Sequence, residues 1–278
     1  MVRAGPTALR PLHATGLEAV LIGLIAGGCR LAFASGAAMH QHRQEVGRLH
    51  RRLRVLGGAV VEAQSDSAAA AMAAGAAMQG ARAAALVLDA ASSDCALSSL
   101  DDLTPVMVDV SGRLPVGLNR IRHLVAPHTT QAAFEAGRGA FARAEVLRGP
   151  GMVAGLEMQQ GQFLPELRGE GEEAGPVPVH HTGPDNPDLL LLGAGPGFEA
   201  CLAAREQLAA QGVSVAHLHL LQVAPFPGAI VAPVLTSSRR VVVVEPGGPG
   251  VLAGYVRSHL GAPVEPFGEL PRLTGDPT

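Results

Sequence analysis

Val60-Val61-Glu62-Ala63-Gln64-Ser65-Asp66-Ser67-Ala68-Ala69 runs from a β-branched pair, through an acidic and hydroxyl-rich turn, into a segment of small residues. β-Branched residues fit a pleated strand. Either Ser65 or Asp66 can accept hydrogen bonds from the free amides of a first helical turn, and a carboxylate there also suits the positive end of the helix dipole. The pattern predicts a strand entering a helix over Ser67–Gln79. Gly75, Ala76 and the other alanines leave almost no bulk, so the backbone can approach another helix or a cofactor; a plain alanine helix of high propensity explains the same composition.

Working outward, apolar helical segments alternate with short β-branched runs. Helix 16–27, strand Cys29–Ala34, a basic helix Gln41–Arg54 and strand Ala59–Val61 precede the turn. Strands Ala84–Leu88, Val106–Val110 and Arg122–Ala126 follow, then a helix from Thr130 to about Leu147 carrying Phe134 and Phe141 two turns apart. This alternation predicts an α/β fold with a parallel sheet covered by helices. From Gln159 to Pro187 the chain holds Gly169-Glu170-Gly171-Glu172-Glu173, Pro176, Pro178, Pro184 and Pro187 with few apolar residues, which reads as an exposed linker. Beyond it Asp188–Gly193, helix Phe198–Gln211, strand Val213–Leu221, a helix at about 227–236, strand Val241–Glu245 and helix Gly250–Leu260 predict a smaller doubly wound sheet. The expected division is a domain over 1–158, a linker over 159–187 and a domain over 188–278, which 278 residues at 47% hydrophobic content can fill.

Composition narrows the function. Lys+Arg 21 against Asp+Glu 24 gives a net charge of -3, and no window is rich in both basic and aromatic residues, which disfavours a nucleic-acid partner. Aromatics are only 3% against 35 glycines, so close helix and backbone contacts must replace bulky packing. Cys29, Cys95 and Cys201 form no CxxC pair, which argues against an iron–sulfur cluster, a zinc site or a disulfide framework. The apolar run Ala19–Gly28 follows Arg3 and Arg10 in the manner of a signal segment. Glu18 and His13 crowd it, however, and Leu21, Ile22, Leu24 and Ile25 space it as a buried helix ending at Gly27-Gly28, too short to cross a bilayer.

Other motifs carry less. His40, His42 and His50 lie among Arg43, Arg48, Arg51, Arg52 and Arg54, whose charge repels a cation, so this reads as a solvated or interface face. His180-His181 reads as polar linker. Gly193-Ala194-Gly195-Pro196-Gly197 departs from the dinucleotide fingerprint: its third glycine comes one place early and Pro196 has no amide for phosphate, which weighs against a freestanding nucleotide-binding module. A Gly-x-Ser-x-Gly elbow is absent, so hydrolase chemistry has no support. Glu245, at a strand end before Pro246-Gly247-Gly248, reads either as facing a ligand or partner or as a solvent-facing turn.

In order and spacing, Gly16-Leu17-Glu18-Ala19, Gly28-Cys29, Val60–Ala69, Gly75-Ala76 and Gly80-Ala81-Arg82-Ala83 resemble the pyrimidine-type domain of the alpha subunits of thiamine-diphosphate-dependent 2-oxoacid:ferredoxin oxidoreductases. Leu189–Gly193, Leu218–Pro227 and Arg240–Glu245 resemble the transketolase-C-terminal-like domain of the same subunits, and the likeness spans about residues 14–268. In that family a glutamate before the small-residue helix bonds the cofactor's pyrimidine ring. Asp66 stands at that place, with Gln64 beside it, and is shorter by one bond, about 1.5 Å. The family's substrate loop falls on Ser35-Gly36-Ala37-Ala38-Met39, without its threonine; a Ser-Gly-Pro-Gly turn falls on Leu88–Ser92; and Arg113 lies one place out of step with the family's arginine-bearing turn.

The resemblance implies oxidative decarboxylation of a 2-oxoacid by thiamine diphosphate and Mg2+ held mainly by a beta-type partner subunit, whose Gly-Asp-Gly motif with a following Asn does not occur here. It further implies no iron–sulfur cluster or metal ligands on this chain, ferredoxin and further gamma- or delta-type subunits as partners, and a cytoplasmic hetero-oligomer with no membrane or nucleic-acid contact. The altered loops set beside this a second reading, a catalytically silent alpha-like subunit with a structural or regulatory role.

Overall fold

A computed structural model of the chain describes residues 11–96, 102–112, 115, 120–156, 161–163, 178–245 and 250–268. The elements are β1 (Leu12–Ala14), α1 (Gly16–Ala26), β2 (Leu31–Ser35), α2 (Gly36–Gln41), α3 (Arg43–Val55), β3 (Ala59–Ala63), α4 (Asp66–Met78), β4 (Ala83–Val87), α5 (Ala90–Ala96), β5 (Val106–Asp109), β6 (His123–Val125), α6 (Thr130–Leu147), β7 (Gly151–Val153) and β8 (Gly161–Phe163). There follow β9 (Val179–Thr182), β10 (Leu189–Ala194), a 3₁₀ turn at Gly195–Gly197, α7 (Phe198–Ala210), β11 (Val215–Leu220), β12 (Gln222–Ala224), α8 (Gly228–Ser237), β13 (Arg240–Glu245), α9 (Val251–Leu260) and β14 (Glu265–Gly268). The predicted α/β class is present as two parallel-sheet units.

The first sheet has the order β12-β6-β7-β5-β4-β2-β3 and is parallel except at β12, which runs antiparallel to β6. The second has the order β14-β13-β10-β11-β9, with β9 its antiparallel edge. Strands buried on both faces explain the unbroken apolar runs at Ala83–Val87 and Val106–Val108. The two faces of the first sheet carry separate cores. Leu86, Val106 and Val108 pack with Leu24, Phe134 and Phe141 beneath α1 and α6. Ala85, Val87, Met107 and Met152 pack with the alanines of α4, and that cluster continues without a break into Leu190, Leu192, Leu218 and Val223 of the second unit.

The expected close backbone approach occurs, but between α1 and α6 rather than at α4. A Cβ on Gly23 would collide with the carbonyl oxygen of Phe134, and one on Gly137 with that of Val20. The helices therefore touch backbone to backbone, which is how a chain poor in aromatics reaches interior packing density. Gly75, on the outer side of α4, faces open space, while Ala69, Ala70, Ala73 and Ala74 line the helix's buried side.

Several segments depart from sequence expectation. The loop expected at 35–39 is helix α2, capped by Ser35 Oγ accepting from Ala38 N at 3.2 Å, and the turn at 88–92 opens helix α5. The single basic helix 41–54 is broken at His42, whose backbone ends α2 and begins α3. His180 and His181 are half-buried in β9, paired with His219 and Leu218, and so are not exposed linker. Strand pairing corrects the reading because an edge strand of mixed polarity carries the same composition as a linker. Residues 16–26 form α1 as expected, and none of the described helices is long and apolar enough to cross a membrane.

Gly23→Ala or Gly137→Ala is expected to lower stability by about 2 kcal/mol or more through overpacking against rigid backbone. Gly75→Ala, which meets nothing, is expected to raise it by roughly 0.5–1 kcal/mol. Urea unfolding midpoints measured at one pH check both signs.

Candidate functional site

From β2 the chain crosses first to β3 on one side and then to β4 on the other, so the order of the first sheet reverses between β2 and β4. In open α/β sheets the crevice at the carboxyl ends of the strands flanking such a reversal is where ligands bind. Here that crevice gathers Ser35 at the end of β2, Asp66 after β3, Asp89 after β4 and Asp109 at the end of β5.

Ser65, not Asp66, caps α4, its Oγ accepting from Ala68 N at 3.1 Å. The Asp66 carboxylate is thereby freed to reach across the crevice. Its Oδ2 accepts from the Asp89 amide at 2.7 Å, and its Oδ1 is buried without a hydrogen-bond partner. Asp89 in turn opens α5: its Oδ1 accepts from Ala91 N at 3.0 Å, and its carbonyl oxygen accepts from the hydroxyls of Ser92 and Ser93 at 3.0 and 3.1 Å. Asp109 is 2% exposed, and its Oδ1 accepts from Ser111 N at 2.8 Å and Ser111 Oγ at 2.5 Å. Burial pushes its carboxyl from the ordinary 3.8 up to about 6; the Ser111 bonds oppose this, and the nearby charges of Asp66 and Asp89 add to it.

The remaining predicted site residues divide. Ser35 is buried, with its hydroxyl engaged in the α2 cap; Gly36 is half-buried, and a Cβ there would stand 3.3 Å from Glu62 Oε1. Ala38 is buried, while Ala37 and Gln64 are exposed beside the crevice. Arg113 lies outside the described residues. His42 is drawn in from the supposed solvated face: its Nε2 donates to the Val110 carbonyl at 3.0 Å and ties the α2–α3 junction to the end of β5. Asp89 and Asp109 escape motif reading. Their signal is positional, since each is the acidic residue that follows or closes an apolar strand.

In the second sheet the order reverses between β10 and β13, and Glu245 stands there. It is 8% exposed and accepts from Val251 N at 2.8 Å and Ala253 N at 2.6 Å. Glu245 is thus the anionic cap of α9, neither a solvent-facing turn nor a ligand-facing group. The Cys29 and Cys201 thiols are both pushed up to about 12 by burial, which leaves them unreactive as nucleophiles. Among the described residues, no three His, Cys, Asp or Glu side chains are grouped to hold a metal ion.

What the crevice offers chemically is a carboxylate oxygen ready to accept one hydrogen bond, at Asp66, beside a carboxyl that holds its proton to near-neutral pH, at Asp109. An orphaned buried acceptor costs roughly 1–3 kcal/mol until it finds a donor. That need fits a ligand presenting an N–H or O–H group, such as a protonated ring nitrogen.

Residues 180–268 match the family model of the transketolase C-terminal domain. The fold is similar to the 2-oxoglutarate:ferredoxin oxidoreductase from Magnetococcus marinus, solved with 2-oxoglutarate, coenzyme A and succinyl-CoA bound, with a TM-score of 0.76 and 14% identity over 96% of this chain. This chain covers 65% of the length of that one. It is also similar to a split-gene transketolase solved as an inactive beta4 tetramer, with a TM-score of 0.65 and 14% identity over 91% of this chain and 87% of that one. No curated protein sequence matches. At such identities the likeness establishes the architecture.

Because the folded chain holds the Asp109 proton between about pH 4 and about pH 6, where the unfolded chain has released it, this group's contribution to stability falls as pH rises through that window and is constant above it. Asp109→Asn removes the fall while keeping an acceptor for Ser111. On going from pH 4.5 to pH 7 the variant is therefore expected to gain on the parent by about 2 kcal/mol in urea unfolding.

Proposed function

We propose that the chain is the alpha-type subunit of a 2-oxoacid:ferredoxin oxidoreductase, a cytoplasmic hetero-oligomer that oxidatively decarboxylates a 2-oxoacid. In this reading the first unit is the pyrimidine-type domain, and the second, with β9 joined to it, is the transketolase-C-terminal-like domain. A beta-type subunit holds most of the thiamine diphosphate and its Mg2+. Gamma- or delta-type subunits and ferredoxin carry the electrons onward, since the cysteines here support no iron–sulfur cluster.

The observation that carries the reading is the Asp66 carboxylate, turned into the strand-end crevice with Oδ1 buried and unpartnered. Thiamine diphosphate supplies the electron sink for the decarboxylation when bound. This chain's part is to present Asp66 Oδ1 to the pyrimidine ring nitrogen and hold it there through the Oδ2 bond to Asp89 N. Gln64 and the first turn of α2, capped by Ser35, stand beside the approach.

A specific observation favours the second reading, a silent alpha-like subunit. The Ser35 hydroxyl is spent on the Ala38 amide and Asp66 Oδ2 on the Asp89 amide, so the polar groups nearest the reversal serve the fold first. The two readings separate in the complex purified with its beta-type partner. Asp66→Ala is expected to cut 2-oxoacid-dependent ferredoxin reduction by about 100-fold or more, the usual scale for removing a positioned proton-handling group, at unchanged subunit stoichiometry. Asp66→Glu is expected to retain turnover. Equal activity of parent and Asp66→Ala complexes would establish the silent role.

A further inference from the structure

Away from the crevice, where the two sheets meet, four imidazoles surround one phenyl ring. The Phe198 ring, at the start of α7, lies 4.2 Å from His128, 5.2 Å from His180, 5.4 Å from His217 and 5.0 Å from His219 between centroids. His128 approaches His180 at 5.7 Å and His219 at 5.8 Å, and His217 stands 5.5 Å from His219. His128 comes from the loop between β6 and α6 of the first sheet; His180 on β9 and His217 and His219 on β11 come from the second. β6 runs directly into the His128 loop and β11 directly into β12, and between them Ala126 N donates to Leu221 O at 2.8 Å beside the β12–β6 pairing.

His217 and His219 are 0% exposed. Nδ1 of His128, Nδ1 of His180 and both nitrogens of His217 and of His219 are buried without a hydrogen-bond partner, and the Gly195 backbone is the one polar group that favours a proton on His219. The other titratable or charged groups facing the cluster are His181 of β9, and Arg205 and Cys201 of α7; β10 presents Gly193, and among the described residues no carboxylate acts on these rings. A proton arriving on any ring therefore finds no counter-ion among the described residues, an apolar phenyl face and three further imidazoles.

We propose that this histidine cluster is an acid-sensitive latch between the two sheets: neutral imidazoles let the seam close, and a proton entering the cluster frees β12 from β6. Burial, followed by the neighbouring imidazoles, holds His128 and His217 down from 6.5 to about 4 and His219 well below its usual range. The opened seam returns the rings to water and so binds more protons than the closed one. Closure accordingly weakens as pH falls from 6.5 towards about 4 and is unaffected above that window. Asp109 works in the opposite direction over much of the same range, so loosening at the seam on acidification does not originate in the crevice.

Hydrogen exchange of the full chain, read by mass spectrometry at pH 7.5 and pH 5 and corrected for intrinsic rates, tests this. Peptides covering β6 and β12 are expected to lose protection by roughly tenfold or more at pH 5, while α1 and α6 keep theirs. In His128→Leu, and separately in His219→Leu, that acid loss is expected to shrink. Unchanged protection of β6 and β12 at pH 5, loss spread evenly over all elements, or the same acid loss in both variants would overturn the latch. Should a variant fail to fold, proton NMR titration of the parent decides. Ring signals of His128, His217 and His219 that titrate below pH 5 support the latch, and midpoints near 6.5 for these three rings sink it.

Discussion

The pairing of β12 with β6 is the constraint on which the rest of the molecule depends. It makes a three-residue piece of the second unit the edge of the first sheet, so the two parallel sheets cannot behave as beads on a string. One apolar cluster then runs from the α4 alanines through Met152 and Leu124 to Leu218 and Val223. Tyr255 reinforces the join by donating its hydroxyl to the Val223 carbonyl at 3.1 Å. The same pairing brings the loop bearing His128 against β9 and β11 and creates the imidazole cluster.

The opposite end of the first sheet is organised by the carboxyl ends of its strands. A parallel sheet points all those ends one way, and side chains that are distant in sequence therefore share one rim. Asp66, Asp89 and Asp109 meet there for that reason, each doing local work before any chemistry. Asp66 bonds the peptide that starts α5, Asp89 caps that helix, and Asp109 anchors the turn at Ser111. Burial is the main reason that the Asp109 carboxyl keeps its proton, and the charges of Asp66 and Asp89 in the same crevice add to it.

The fold was largely legible because the signals that decide it are local. Short β-branched and unbroken apolar runs locate the parallel strands, period-3.6 patterning locates the long helices of both units, and the Ser65-Asp66 pair marks the start of α4. Which of those two residues caps was not legible, since both chemistries suit a first turn and only the position of the Asp89 amide selects Asp66 for the longer reach. The same limit hid β9 and β12. Short strands of mixed polarity earn their place through partners far along the chain, and composition at His180-His181 carries no trace of β11. Glu245 shows the complementary error, for a strand-end acid can serve the next helix as readily as a ligand.

The pairing of Gln222–Ala224 with Leu124-Val125 joins segments separated by roughly a hundred residues, the kind of long-range contact that slows folding. During synthesis β6 therefore emerges with its outer edge bare, and it stays so until β9 to β11 have been made. An open strand edge is a template for unwanted pairing. Its brevity, three residues, is the protection the nascent chain carries through that interval.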